Sequence, residues 1–157
     1  MSAKLSGVST PENVQLIRPE QLSDRAPYAY VAVAPRGSRL VFAAGACPLD
    51  QKGEVVGIGD LAGQAAKCLE NLAIALQAAG ASLNDVVKTT VFVASSDRRD
   101  LLTAWNVVEA AFEGHRAPST LLGVSCRSKQ PQLWTRWLEG PTHQTRITRD
   151  SSSSSGE

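Results

Sequence analysis

The sequence predicts an α+β fold, one open mixed sheet with two helices packed on one face, and two observations carry that prediction. Apolar residues recur at helical spacing in only two stretches, whereas β-branched and aromatic runs bounded by turn residues recur along the rest of the chain. Strands grouped around two helices do not give the strict alternation of a wholly parallel sheet, so the expected order is ββ(β)αβαββ with the helices on one side.

Residues 1–26 hold scattered polar and Pro residues without sustained periodicity and read as an N-terminal arm that docks locally. From Tyr28 to Ala34 the run YAYVAVA has strand composition. Pro35-Arg36-Gly37-Ser38 breaks it before RLVFAAG resumes it, a hairpin signal. Asp50-Gln51-Lys52-Gly53 has turn composition, and a short strand is expected around Glu54 to Val56.

Asp60 is placed to N-cap a helix in which Leu61, Ala65, Cys68, Leu69, Leu72, Leu76 and Ala79 form one apolar stripe. Gly80 sits where a left-handed residue would end it. After the ASLND turn, VVKTTVFVA is the strongest strand. It carries Val87, Thr89, Val91 and Val93 on one face and Val86, Lys88, Thr90 and Phe92 on the other. Ser95, Ser96 and Asp97 offer capping oxygens to a second helix with Leu101, Ala104, Val108, Ala111 and Phe112 inward, ending near Gly114. STLLGVSC follows Pro118 as another strand, and QLWTRWLE is read as the last. Residues 140–157, ending in SSSSSGE, have no periodic apolar pattern and read as a disordered tail beyond a domain of residues 27–139.

The 157 residues suit one domain, and 43% hydrophobic with 20% charged side chains is ordinary globular composition. With 16 basic and 15 acidic side chains there is no broad field to draw nucleic acid or an anionic membrane. No apolar run approaches the roughly 20 residues of a membrane span. Three separated cysteines, Cys47, Cys68 and Cys126, and an opening without a signal or presequence pattern suit a reducing cytosol.

Motifs for other chemistries are missing. His115, His143 and the cysteines show no metal-ligand spacing, so no metal is expected. Gly57-Ile58-Gly59 lacks the third glycine of a dinucleotide fingerprint, and no phosphate loop or nucleophile elbow occurs. Neither histidine has an assignable Ser or Asp partner. Cys68 falls on the apolar helix stripe and reads as core. Cys47 lies at a strand-to-turn junction with nothing nearby in sequence to lower its pKa.

Three blocks in order resemble the RidA (YjgF-like) family of reactive-intermediate enamine/imine deaminases. AAGACPLDQKGEVV is similar to its S-G-Q-x-P signature, QAAKCLENLAIALQAAGASLNDVVKTTVFVASSDRRD to its helix-plus-strand core, and TAWNVVEAAFEGHRAPSTLLGV to the segment that usually contains P-A-R-[ST]. The resemblance spans about residues 27–124. It implies a chorismate-mutase-like fold, a homotrimer with clefts between subunits, and cofactor-free hydrolysis of 2-aminoacrylate-type intermediates to 2-ketoacids and ammonia. A small 2-imino or 2-keto acid is the implied ligand.

The resemblance also assigns a site. Tyr28 matches a pocket-edge tyrosine, Gly45 the glycine whose backbone faces the cleft, and Asn106, Ser119 and Thr120 the active-site segment. Ser119 stands where the deaminating branches carry a substrate-anchoring Arg, and hydroxyls do not replace a guanidinium charge. Arg116, three residues earlier, reaches that position only if the loop shifts. Ala44 and Ala46 replace the usual Ser and Gln. The water-positioning Glu of the family's V-E-[IV]-E-A-x-A ending is replaced by QLWTRWLEG. Codons for L-[VD]-E-V read one base late give W-x-R-W, so CRSKQPQLWTRWLEGPTHQTRITRD is read as a candidate shifted-frame tail.

A deaminase is therefore expected, with a metabolite-binding or sensing trimer as the alternative that the missing Arg favours. The ribonuclease activity sometimes attached to this family is disfavoured by the near-zero net charge.

Overall fold

A computed structural model describes residues 13–125 and 145–149 of the chain. Six strands and two helices follow one another as β1 (Gln15–Ile17), β2 (Val31–Val33), β3 (Arg39–Ala43), α1 (Leu61–Ala78), β4 (Val86–Val93), α2 (Arg98–Ala111), β5 (Ser119–Gly123) and β6 (Thr145–Arg149). One sheet has the order β3-β6-β4-β5, and β1 and β2 form a separate antiparallel pair. β6 runs antiparallel to β3 and β4, while β4 and β5 are parallel across the α2 crossover, so the sheet is mixed as expected.

Both helices end as their sequences specify. The Asp60 side chain accepts from the Gly63 N–H at 2.9 Å, and Asp97 caps α2 by accepting from the Arg99 N–H. At the far end of α1, Gly80 takes φ 70°. Its N–H donates to the Gln77 carbonyl while that of Ala81 donates to Leu76, a Schellman closure. Ala65, Leu72 and Leu76 of α1 then pack with Ala104 and Val108 of α2 and its C-cap Phe112 on Val86, Val91 and Val93 of β4. Leu76, Val86 and Val93 are fully buried, and each such side chain contributes roughly 1.5–3 kcal/mol. Along β4 the alternation slips once, because a register irregularity between Val86 and Lys88 turns both Val86 and Thr89 inward.

Pairing departs from the sequence reading at several places. A turn does form at Pro35–Ser38, with the Ser38 hydroxyl donating to the Pro35 carbonyl. The flanking strands do not pair as a hairpin, because β2 bonds to β1 and β3 to β6. The arm thus contributes a strand of its own, since the short QLI run covers the polar edge of β2. The strand expected at Glu54–Val56 shrinks to a single Leu49–Val55 bridge, as Asp50 Oδ1 accepts from both Lys52 and Glu54 N–H and holds the segment as a turn.

The expected strand QLWTRWLE lies outside the described residues. In the segment read as a disordered tail, Thr145–Arg149 instead occupies the slot between β3 and β4, where backbone pairing on both edges replaces the apolar pattern that TRITR lacks. No helix among the described residues is long and apolar enough to cross a membrane.

Val41, Ala43 and Leu121 point toward the helices, so their strand neighbours Leu40, Phe42 and Leu122 lie on the opposite face. Those three side chains are 48%, 55% and 44% exposed. The helix side of the sheet is filled, and on the other side these three apolar side chains stand partly exposed.

Candidate functional site

The site forms where the Tyr28 segment meets the chain leaving α2. The Arg18 guanidinium donates to the carbonyls of Tyr28, Asp24 and Ala26 at 3.1, 2.8 and 2.7 Å, which gathers the loop before β2. The Tyr30 hydroxyl donates to the Ser23 carbonyl, and the buried Ala29 donates its N–H to the Arg116 carbonyl at 2.8 Å. Tyr28 is thereby set edge-on to Trp105 of α2, with ring centroids 6.2 Å apart and planes at 81°.

Trp105, Glu109 and Phe112 recur along one face of α2. The helix closes through two left-handed residues, Glu113 (φ 46°) and Gly114 (φ 91°), which turn the chain back toward β4. A left-handed glutamate is uncommon, and the residues that flank this left-handed pair are both held. One is His115, whose Nε2 lies 2.7 Å from the Val86 carbonyl and whose ring stacks on Phe112. Past it, Arg116 Nη2 lies 3.8 Å from Glu109 Oε1 in a loose, half-exposed ion pair. The Ser119 hydroxyl donates to the Ala117 carbonyl at 2.8 Å.

These elements line a small, partly open hollow with Tyr28, Trp105, Glu109, His115, Arg116 and Ser119, among others, on its walls. Its volume is about 20 Å³, the room of a single water, so among the described residues this hollow does not by itself enclose a metabolite. Its lining combines aromatic walls with one cation, one carboxylate, an imidazole and hydroxyls.

Of the residues named from sequence, Tyr28 and Ser119 come together in the hollow, and Arg116 also lines it. Thr120, next along β5, takes the alternate direction and accepts from Lys88 Nζ at 2.7 Å. Burial pulls the Lys88 ammonium below the ordinary lysine pKa. Gly45 is exposed just beyond β3, where an added methyl would meet nothing within 4 Å. Asn106 is exposed on α2 beside Trp105 and is not among the lining residues.

Trp105 and Glu109 are not among the residues expected from the sequence, and His115 is considered there only to be set aside as a metal ligand or triad member. The 105–109–112 spacing was the available signal for the first two, whereas the return of His115 depends on the left-handed pair before it. Cys68 is buried as expected, and burial raises the pKa of both Cys68 and Cys47, which suppresses the thiolate that a nucleophile needs. Among the described residues no group of three or more His, Cys, Asp or Glu side chains is placed to hold a metal.

A family model described as Endoribonuclease L-PSP (Ribonuc_L-PSP) matches residues 20–130. The 2-iminobutanoate/2-iminopropanoate deaminase of Salmonella typhimurium is 39% identical over 98 residues, covering 60% of this chain and 73% of that protein. A RutC family protein of Pyrococcus horikoshii is 38% identical over 94 residues, 59% of this chain and 71% of that one. Among solved structures, the Rid-family protein YyfB of Yersinia pestis, of unknown function, superposes with a TM-score of 0.69 at 27% identity, covering 77% of this chain and 92% of that chain. Escherichia coli TdcF with bound serine gives a TM-score of 0.51 at 29% identity, covering 75% and 91%.

Proposed function

Because the chain belongs to the Ribonuc_L-PSP (YjgF/RidA) family, we propose that it is a cofactor-free enamine/imine deaminase that hydrolyses 2-aminoacrylate-type intermediates to 2-ketoacids and ammonia. The observation that carries this reading is the hollow that sets Arg116 beside Tyr28 and Ser119. A 2-imino acid needs its carboxylate anchored while water reaches C2, and Arg is the side chain whose fork grips a carboxylate at two points. Arg116 takes the anchoring role that Ser119 lacks, since its bond to Glu109 is long enough to yield to a better-placed carboxylate.

The reading includes assembly. Leu40, Phe42 and Leu122 on the helix-free sheet face favour burial against further copies, and a homotrimer meets the need of so small a hollow for a second wall. Gly45, Asn106 and Thr120, outside the hollow's lining, then meet the ligand across the seam between copies. The near-balanced charge favours a small-molecule ligand over nucleic acid, and a cytoplasmic setting suits the free thiols.

A second reading, a trimer that binds such acids without turning them over, is favoured by one observation. Ser119 spends its hydroxyl proton on its own chain at Ala117 and offers the ligand only lone pairs. Turnover separates the two. With 2-iminopropionate generated in situ, a deaminase raises the ketoacid release rate in proportion to protein concentration, whereas a binding protein leaves the buffer rate unchanged.

A further inference from the structure

His115 shares the hollow with Tyr28, Glu109, Arg116 and Ser119, and its ring is fixed from two sides. A carbonyl oxygen has only lone pairs, so the 2.7 Å contact between Nε2 and the Val86 carbonyl requires the proton to sit on Nε2. Neutral His115 therefore carries its lone pair on Nδ1, which has no other partner among the described residues. Stacking on Phe112, with planes 16° apart, holds the ring against rotation. A neutral imidazole of fixed tautomer, lining a hollow with room for a water, is suited to accept a proton from a water bound there.

We infer that His115 is the general base and acid of this site, working through Nδ1. The inference rests on the deaminase reading and deepens it. Water adds to C2 of the iminium, one of its protons passing to Nδ1 while the C=N π pair settles on nitrogen to give a neutral carbinolamine. Nδ1 returns that proton to the nitrogen. The C–N bond then breaks with its electron pair leaving as ammonia, and the hydroxyl proton passes to Nδ1 as the carbonyl forms. Iminium and water become ketoacid, ammonia and one proton, without any oxidant or reductant. The other titratable groups facing this space are Tyr28 and Glu109, with the cation of Arg116 beside them.

The test is His115→Gln, whose side-chain amide can still donate to the Val86 carbonyl yet cannot act as a base near neutral pH. With the variant shown to be folded by its urea midpoint, kcat is expected to fall about 10²–10⁴-fold at little changed KM. The wild type should lose kcat as pH falls, and the variant should lack that acid limb. Glu109→Gln should retain it. Turnover by His115→Gln with wild-type kcat and the same acid limb would overturn the role of His115 while leaving the deaminase reading intact. A wild type that does not accelerate ketoacid release overturns both.

Discussion

Gly123, the last residue of β5, is a position where a single methyl group should be costly. A Cβ there would stand 2.5 Å from the Ser95 carbonyl oxygen, against 3.4–4 Å for ordinary contact, so the two segments must separate by about an ångström. Ser95 cannot easily retreat. Its N–H donates to the Val93 carbonyl at 2.8 Å, its hydroxyl donates to Asp100 at 2.6 Å, and the Asp97 N–H donates back to that hydroxyl at 3.0 Å. On the other side, Val124 is tied to the same Val93 carbonyl at 2.8 Å. Overpacking of this kind costs about 1–3 kcal/mol. Gly45→Ala is the matched control, because its methyl meets nothing within 4 Å. Removing a glycine there should leave stability unchanged or raise it by about 0.4–1 kcal/mol. Urea unfolding of both variants beside the wild type, at one protein concentration because assembly shifts midpoints, gives the comparison. Equal midpoints for Gly123→Ala and Gly45→Ala would mean that β5 and the Ser95 turn are not in the close contact described.

Further expectations follow from the packing and the electrostatics. Leu76→Ala empties a site with 0% exposure between the helices and β4, so unfolding should require about 2.7–5 kcal/mol less. A loss under 1 kcal/mol in urea unfolding would mean that the core is not packed as described. Burial lowers the Lys88 pKa, so the folded protein sheds that proton first, and stability should rise with pH just below the ordinary lysine value of 10.5. Lys88→Met should abolish the rise, and an unchanged slope would assign it to another group. The reading of the C-terminal segment as a shifted frame is tested by sequencing independent isolates, where an intact in-frame copy of the same tail would remove it.

The sequence carried the helices well because capping and periodicity are local. Asp60, Asp97 and Gly80 each act on backbone groups within a few residues, and the apolar stripes need no knowledge of what they cover. Strand partners were less legible. Nothing in RLVFA distinguishes a hairpin with β2 from pairing with a segment more than 100 residues later, and the unpatterned TRITR reveals its place only through the vacant edges it joins. At the site, Tyr28 and Ser119 were visible through resemblance, and Arg116 through proximity in the chain. The position of His115 was hidden because it depends on Glu113 adopting a left-handed conformation, which a glutamate does not advertise.

If a 2-keto or 2-imino acid binds against the Tyr28–Trp105 wall, as the proposed function requires, Trp105 itself reports on it. The chain has three tryptophans, so a titration with 2-ketobutyrate should compare the wild type with Trp105→Phe. A saturable change in indole emission is expected in the wild type and should vanish in Trp105→Phe, while calorimetry still detects binding by the variant. Heat of binding in the wild type without any change in Trp105 emission would place the acid elsewhere, and the absence of both signals would mean that no such acid binds.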